Sequence, residues 1–229
     1  RNQIMNKEEW HRLANWLAVL PSSVVESRPE LLLLKARLHR TRGGREELAE
    51  TLRAAEALLD TADVGEELRL ELQGSLESNR CFTLYVMSEG EAAVAAARQA
   101  LDLLPEDSLA ERGFAMISLA GAMQMTGDAV GALRMLYAAI PDESAQSNEP
   151  TYVTRLLTGL CFVQWMDANL VALDISSREV LTISSAEALL EVRTIAVHFQ
   201  TAIDYQHNRL RGVIERLHDV ERSDVVISA

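Results

Sequence analysis

Glycine, proline and aromatic residues are all scarce in this sequence. Its 229 residues include only 11 Gly and 5 Pro, and aromatic side chains make up 5%. Many short β-strands would need more turn-forming and β-branched residues than this, whereas Ala, Leu, Glu and Arg favour helices. The composition therefore argues against an all-β fold and predicts an all-α protein, in which 48% apolar residues supply a sizeable core.

Long apolar runs and paired cysteines are missing as well. No apolar stretch approaches the roughly 18–20 residues that span a bilayer, so we expect no membrane partner. Cys81 and Cys161 lie far apart, and neither belongs to a Cys-x-x-Cys motif. This spacing excludes a readable disulfide framework or zinc knuckle and is typical of a reducing compartment, which favours a cytoplasmic location.

Basic residues are in deficit. Lys and Arg number 22 against 34 Asp and Glu, which gives a net charge of −12. Such a surface repels a phosphate backbone, so we expect no direct nucleic-acid contact by this segment. The chain begins at Arg1 without an initiator Met and ends on Val225-Val226-Ile227. We therefore expect residues 1–229 to form a single domain that is a fragment of a longer protein.

Helical periodicity runs through nearly the whole chain. Apolar spacing and Pro or Gly punctuation predict helices at 7–20, 29–42, 45–59, 66–88, 91–104, 108–126, 129–140, 150–166, 170–183, 185–206 and 209–221. After the first, these helices pair into five hairpins. We name the two members of each pair the first and the second helix.

The tight turns inside the five hairpins recur at a loose forty-residue period. Residues that tolerate a left-handed conformation commonly close a helix, and they mark these turns. The turn residues are Gly43, Gly90, Gly127, Ala168 and Asn208, with spacings of 47, 37, 41 and 40 residues. Ala168 is the exception to this preference, and Asn169 is the alternative turn residue there. The period predicts a tetratricopeptide-like α-solenoid of about five helix pairs in a right-handed superhelix.

Two further columns support the period. Seven residues before the turn residues stand the small residues Ala36, Thr83, Ala120, Cys161 and Thr201. Five residues after them stand the apolar residues Leu48, Ala95, Ala132, Leu173 and Val213. A small side chain on the first helix lets the second helix approach closely, which is the packing that tetratricopeptide-like repeats use.

Four segments resemble one protein family in their order along the chain. They are Trp16-Leu17-Ala18-Val19-Leu20-Pro21 with Arg28-Pro29-Glu30-Leu31, then Ala100 to Asp107, then Gly121 to Leu133, and finally Tyr205 to Leu210. They are similar to motifs of the helical sensor domain in the large ATP-binding LuxR-type transcriptional regulators of the maltose-regulator-like group. The resemblance covers most of residues 10–220.

This resemblance implies that nucleotide binding, effector sensing and DNA binding belong to different domains. In such regulators a nucleotide-binding domain, the helical sensor and a helix-turn-helix lie on one polypeptide. The sensor is then expected to bind a small-molecule effector and relay the signal to the other domains of the same chain. ATP is expected at an N-terminal domain outside this segment, and no cofactor is expected in the segment itself.

Signatures of catalysis and metal binding are absent from the sequence. It contains no Gly-x-x-x-x-Gly-Lys-Ser/Thr, no Gly-x-Ser-x-Gly and no His-Glu-x-x-His. Its nearest histidines, His198, His207 and His218, are spaced by 9 and 11 residues, which suits no ligand pattern. We therefore expect neither an enzyme nor a metal site.

The candidate binding surface is the concave side of the solenoid, which first helices line. Positions 13, 10, 6 and 3 before each turn residue share one helical side, and we call this set the inner stripe. Its candidate ligand-binding residues are Arg37, Arg40, Arg80, Gln124, Arg155, Trp165, His198 and Tyr205. Arginines beside aromatic rings indicate a polar or anionic ligand, with Arg80, Arg155 and Trp165 at its centre. An ordinary solvated face laced by ion pairs fits the same residues.

Two functions follow from this surface. The preferred one is effector sensing in a transcriptional activator. The alternative is a protein- or peptide-binding scaffold, since helical repeats often hold a partner segment in their groove. In either case, we expect self-association through the solenoid ends, because an uncapped terminus exposes the apolar residues Leu210, Val213, Leu217 and the final Val225-Val226-Ile227, the last three of which lie outside the residues that the structure describes.

Overall fold

The computed structural model describes residues 10–41, 43–140, 150–186 and 189–218, and every regular element in these ranges is helical. The all-α prediction is confirmed. The helices are α1 (Trp10–Val19), α2 (Ser22–Glu26), α3 (Pro29–Thr41), α4 (Arg45–Thr61), α5 (Glu66–Val86), α6 (Gly90–Leu103), α7 (Leu109–Met125), α8 (Ala129–Ala139), α9 (Pro150–Met166), α10 (Leu170–Ala186) and α11 (Leu190–Gln206). Residues 210–218 are also helical.

Among the described residues, most helix boundaries lie within two residues of the sequence expectation, and the differences are larger at two places. The short helix α2 was not expected, and it begins directly after Pro21. Helix α10 continues to Ala186 and α11 begins only at Leu190, whereas the apolar pattern alone placed this boundary at 183–185.

Five helix pairs end their first helix in the same way. The turn residue has positive φ and donates its N–H to the carbonyl three residues earlier, and the next residue donates to a carbonyl five residues before itself. This is the Schellman arrangement, which satisfies carbonyls that the helix end leaves without partners. The positive-φ residues are Gly43, Ser88, Gly127, Ala168 and Asn208.

The second turn residue is therefore Ser88, and the sequence assignment to Gly90 was wrong. Ser88 has a φ of 65°, while Gly90 is the first residue of α6. The corrected spacings are 45 (43 to 88), 39 (88 to 127), 41 (127 to 168) and 40 (168 to 208). Gly90 tolerates positive φ more easily than Ser88, but it lies in the first turn of α6 and not in the turn between the two helices.

With Ser88 as the turn residue, different residues of the second pair occupy the two packing columns. Seven residues before the turn stands Cys81, which is fully buried, and five after it stands Ala93, which is also fully buried. The residue that the sequence placed in the latter column, Ala95, is exposed. The small-residue column is now Ala36, Cys81, Ala120, Cys161 and Thr201, all at most 7% exposed.

The pairs pack mainly against their neighbours along the chain. Within a pair, α3 contacts α4, α5 contacts α6, α7 contacts α8, and α9 contacts α10. Each of these second helices also contacts the first helix that follows it, and consecutive first helices contact one another. Nearest-neighbour packing of this kind is what a stack of helical repeats produces. The handedness of the superhelix stays a prediction.

At two of the contacts between consecutive pairs, an arginine hydrogen-bonds to the end of the preceding helix. Arg69 of α5 donates to the carbonyls of Leu59 and Ala62 at the end of α4, at 2.7 and 2.6 Å. Arg112 of α7 likewise donates to two carbonyls at the end of α6, both at 2.8 Å. A cation at a helix C-terminus satisfies free carbonyls and opposes the helix dipole.

Candidate ligand-binding face

We call the side of the first helices that carries the inner stripe the inner side. A buried ion pair lies at its N-terminal end. Arg37 of α3 forms an ion pair with Glu111 of α7, and the two residues are 2% and 4% exposed. Between them, Ser75 of α5 donates its hydroxyl to Oε1 of Glu111 at 3.0 Å. Arg37 thus joins the first helices of the first and third pairs across the second. Its guanidinium faces a carboxylate inside the protein rather than an open groove.

Arg40 takes part in the same junction. Its guanidinium carbon lies 3.3 Å from the centroid of the Phe114 ring, and one of its nitrogens donates to Oδ1 of Asn79 at 2.9 Å. Asn79 is fully buried, and Phe114 also packs against Phe82 with ring centroids 5.7 Å apart. A cation held over an aromatic face and bonded to a buried amide is a structural contact.

Arg80 does not lie on the inner stripe. Its guanidinium binds Glu56 of α4 at 2.5 Å and Glu77 at 2.6 Å, and its side chain is 37% exposed. Burial raises the pKa of Glu77, while the charge of Arg80 lowers it and that of Glu56 raises it. The sequence placed Arg80 on the inner stripe because Gly90 was taken as the turn residue instead of Ser88. An error of two residues along a helix rotates a position around the helix axis by about 200°.

With Ser88 as the turn residue, the second pair presents a different inner stripe. It consists of Ser75, Ser78, Phe82 and Tyr85. Contacts agree with this placement, since a Cβ added at Gly121 of α7 would lie 3.0 Å from the ring of Tyr85. Sequence reasoning missed these residues. Two signals identify them. The spacing between turn residues is more regular with Ser88, and the small residue Cys81 stands seven positions before Ser88.

Arg155 and Gln124 lie further along the inner side and are largely enclosed. Arg155 is 4% exposed, and a Cβ added at Gly113 would lie 2.9 Å from its Cδ. The side chain therefore fills the space that a glycine of α7 leaves open. Gln124 is half-buried, and its Oε1 atom is buried without a hydrogen-bond partner among the described residues.

The remaining three candidates are exposed, and two of them are aromatic. Trp165 at the end of α9 is 37% exposed and Tyr205 at the end of α11 is 65% exposed. His198 is exposed on the same side of α11 as Tyr205, seven residues earlier, with Nδ1 2.9 Å from the carbonyl of Thr194.

Phe199 joins the two helices beneath this surface. Its ring lies 5.2 Å from that of Phe162 in an edge-to-face arrangement and 6.4 Å from that of Trp165. Phe162 is itself 37% exposed, while Phe199 is 7% exposed. We call Phe162, Trp165, Phe199 and Tyr205 the aromatic patch. Phe162, Trp165 and Tyr205 of this patch are exposed to solvent. The predicted arginines, in contrast, lie in the interior or in contacts between helices.

The titratable residues offer no metal site in the part of the chain that the structure describes. No group of three or more His, Cys, Asp or Glu side chains could hold a metal ion there. Burial raises the pKa of both Cys81 and Cys161 to about 12, so both stay as neutral thiols. Among the described helices, none is long and apolar enough to cross a membrane.

No family model, curated protein or solved structure matches this chain.

Proposed function

We propose that this chain is the effector-sensing and signal-relay module of a bacterial ATP-dependent LuxR-type transcriptional activator, and that a small-molecule inducer binds at the aromatic patch. The observation that supports this site is the contrast along the inner side. On this side, Arg37 and Arg40 contact other groups of the protein and Arg155 is buried. Trp165 and Phe162, in contrast, stay more than a third exposed. Exposed rings on adjacent helices offer stacking area for a ligand.

The packing order supplies a route for the relay. The patch spans α9 and α11, and α9 contacts α7, α8 and α10 in turn. A ligand that changes the angle between α9 and α11 alters contacts with both neighbouring pairs, because each pair rests on the next. We propose that nucleotide binding and DNA binding belong to other domains of the same polypeptide and that this segment carries out no catalysis.

A screen of the chain against sugars, nucleosides and amino acids tests this proposal. A variant with Trp10→Phe and Trp16→Phe leaves Trp165 as the only tryptophan of the three, so its fluorescence reports on the patch alone. We expect an effector to shift this emission and raise the melting temperature. Trp165→Ala should weaken binding roughly 10-fold, from the loss of about 1.5 kcal/mol of ring burial.

The matched control is Trp16→Ala. Trp16 is also an exposed tryptophan, at 49%, but it lies on α1 beside Arg12 and away from the patch. Its replacement should leave effector affinity unchanged. Equal losses from both variants would contradict the assignment of the site.

The scaffold function is the second candidate, and one observation favours it. His198 and Tyr205 lie two helical turns apart on one side of α11, and both are exposed, so this side of the helix offers an extended rather than a point-like surface. Such a surface suits an amphipathic partner segment. Selection from a peptide library on the wild-type chain, with Trp165→Ala as counter-selection, distinguishes the two: peptides lost with Trp165 favour the scaffold.

A further inference from the structure

Three exposed methionines lie at the same end of neighbouring first helices. Met87 stands one residue before the turn residue of the second pair, and Met125 and Met166 stand two residues before those of the third and fourth pairs. They are 62%, 36% and 49% exposed. In the first and fifth pairs, polar residues occupy both positions, namely Thr41-Arg42 and Gln206-His207. We call Met87, Met125 and Met166 the methionine row.

The first helices of the third and fourth pairs run parallel. A Cβ added at Gly113 of α7 would lie 3.0 Å from Cβ of Arg155 on α9, and one added at Gly159 of α9 would lie 3.7 Å from Cα of Ile117 on α7. Both contacts join residues that are 42 positions apart in the sequence (113 to 155 and 117 to 159). Because this offset is constant, α7 and α9 point in the same direction, and their last residues lie at the same end of the stack.

Met125 also contacts the turn of the preceding pair. A Cβ added at Gly90 would lie 3.4 Å from Sδ of Met125, and Gly90 is the first residue of α6, three residues after Met87. The methionines of the second and third pairs therefore border the same turn. Met166 holds the position of Met125 in the next pair, so the repeat places it beside the turn of the third pair.

The charged residues of the segments that carry the methionine row are all acidic. Residues 81–97, 113–133 and 156–173, which contain the three turns, include no Lys or Arg. Their acidic residues, all of them exposed, are Glu89, Glu91, Asp128 and Asp167. The C-termini of the first helices at this end add partial negative charge. The methionine row therefore favours a cationic partner, whereas Arg45 and Arg209 lie beside the turns of the two outer pairs.

Exposed methionines with carboxylates around them combine two features of a surface that binds helices. The thioether side chain is flexible and apolar, so it adapts to the apolar face of a bound helix. The carboxylates attract Lys and Arg at the edges of that face. We propose that the methionine row is a docking surface for a basic amphipathic helix of a partner protein.

The repeat spacing determines which residues of the partner helix make contact. Packed helices lie about 8–10 Å apart, so neighbouring methionines of the row are separated by about 10 Å. Seven residues of an α-helix advance by about 10.5 Å and return to the same side. A partner helix of about 15 residues that lies across the row thus presents apolar residues at positions i, i+7 and i+14. The row contains no residue of the aromatic patch, so the proposal does not rest on effector binding.

A synthetic peptide of about 15 residues tests the proposal, with Leu at its first, eighth and fifteenth positions and Lys, Ala and Gln elsewhere. Fluorescence anisotropy of the labelled peptide measures its binding to the complete 229-residue chain. We expect saturable one-to-one binding, and the same peptide with Glu in place of every Lys should not bind. Raising the salt concentration from about 20 mM to about 500 mM should weaken binding about 10-fold, because salt screens the attraction between the charges.

Substitutions in the methionine row test its apolar contribution. Met87→Gln and Met166→Gln each replace an exposed apolar side chain with a polar one of similar length, and each should weaken peptide binding about 10-fold. The matched control is Ile175→Gln. Ile175 is 64% exposed, but it lies two helical turns from the turn of the fourth pair, so its replacement should leave binding unchanged. Circular dichroism verifies that each variant is folded.

The acidic residues require their own control, because the whole chain carries a net charge of −12. One triple variant removes three charges beside the row: Glu89→Gln, Asp128→Asn and Asp167→Asn. Asparagine caps a helix as well as aspartate does, so the start of α8 keeps its cap. The control variant removes three exposed charges from α4: Glu46→Gln, Glu50→Gln and Asp60→Asn. We expect the first variant to bind the basic peptide about 10-fold more weakly at low salt and the second to bind it like the wild type.

Three results overturn the proposal. One is the absence of saturable binding of the basic peptide up to about 500 µM. Another is equal binding of the basic and the acidic peptide. The third is a row variant or a charge variant that binds as tightly as its control, since the peptide would then be held by the overall charge of the chain or by another surface. None of these substitutions alters the aromatic patch, so each result leaves the test of the effector site unaffected.

Discussion

The buried ion pair between Arg37 and Glu111 gives the most direct test of the packing described above. Both residues are nearly inaccessible to solvent, and they connect α3 to α7 across α5. Replacing Arg37 with Met leaves a carboxylate buried without its partner. Removal of one member of a buried pair typically costs about 3–5 kcal/mol in free energy of unfolding, most of it the penalty for the remaining charge.

The double variant Arg37→Met/Glu111→Leu removes both charges and keeps similar volume. It should be much less destabilised than the sum of the single variants, with a coupling energy of about 2–3 kcal/mol. Urea unfolding followed by circular dichroism measures all four corners of this cycle. The Ser75 hydroxyl loses its acceptor in the double variant, which costs about 1 kcal/mol and keeps the recovery incomplete.

Arg178→Met is the control for this cycle, since it removes the same group from a solvent-exposed pair with Asp174. Exposed pairs contribute about 0–1 kcal/mol, so this variant should be close to wild type. If Arg37→Met costs no more than Arg178→Met, or if the single effects simply add, then Arg37 and Glu111 do not act as a coupled buried pair.

Three further outcomes are expected. Ala168→Gly should raise the melting temperature, because Ala168 has a φ of 54° and glycine removes about 1 kcal/mol of left-handed strain; Gly127→Ala at the equivalent turn should lower it. Cys81 and Cys161 should resist a thiol reagent until the protein unfolds, and their raised pKa should make the free energy of unfolding fall as pH rises from the unfolded value of about 8.5 toward 12. Arg155→Ala should lower the free energy of unfolding by about 2–5 kcal/mol in the same urea assay, because this side chain is 4% exposed, whereas a purely ligand-binding role would leave stability unchanged.

The sequence by itself determined the class of fold, the number of helix pairs and most of their turns. These features depend on local interactions: apolar spacing of 3.6 residues, proline at helix starts, and residues that tolerate positive φ at helix ends. Gly43, Gly127 and Asn208 could be assigned as turn residues for this reason. Even Ala168, which has no intrinsic preference for that conformation, followed from the forty-residue period.

Only the tertiary structure decided where α5 ends and, with it, which of its sides faces inward. The local preference favoured Gly90, but burial of Cys81 and Ala93 requires the turn at Ser88. The arginines show the same limit, because the partner of Arg37 lies 74 residues away on a helix two pairs along. A periodic pattern shows that residues share a side of a helix. Whether that side meets solvent, a ligand or another helix depends on how the pairs stack, and this is a property of the assembled chain.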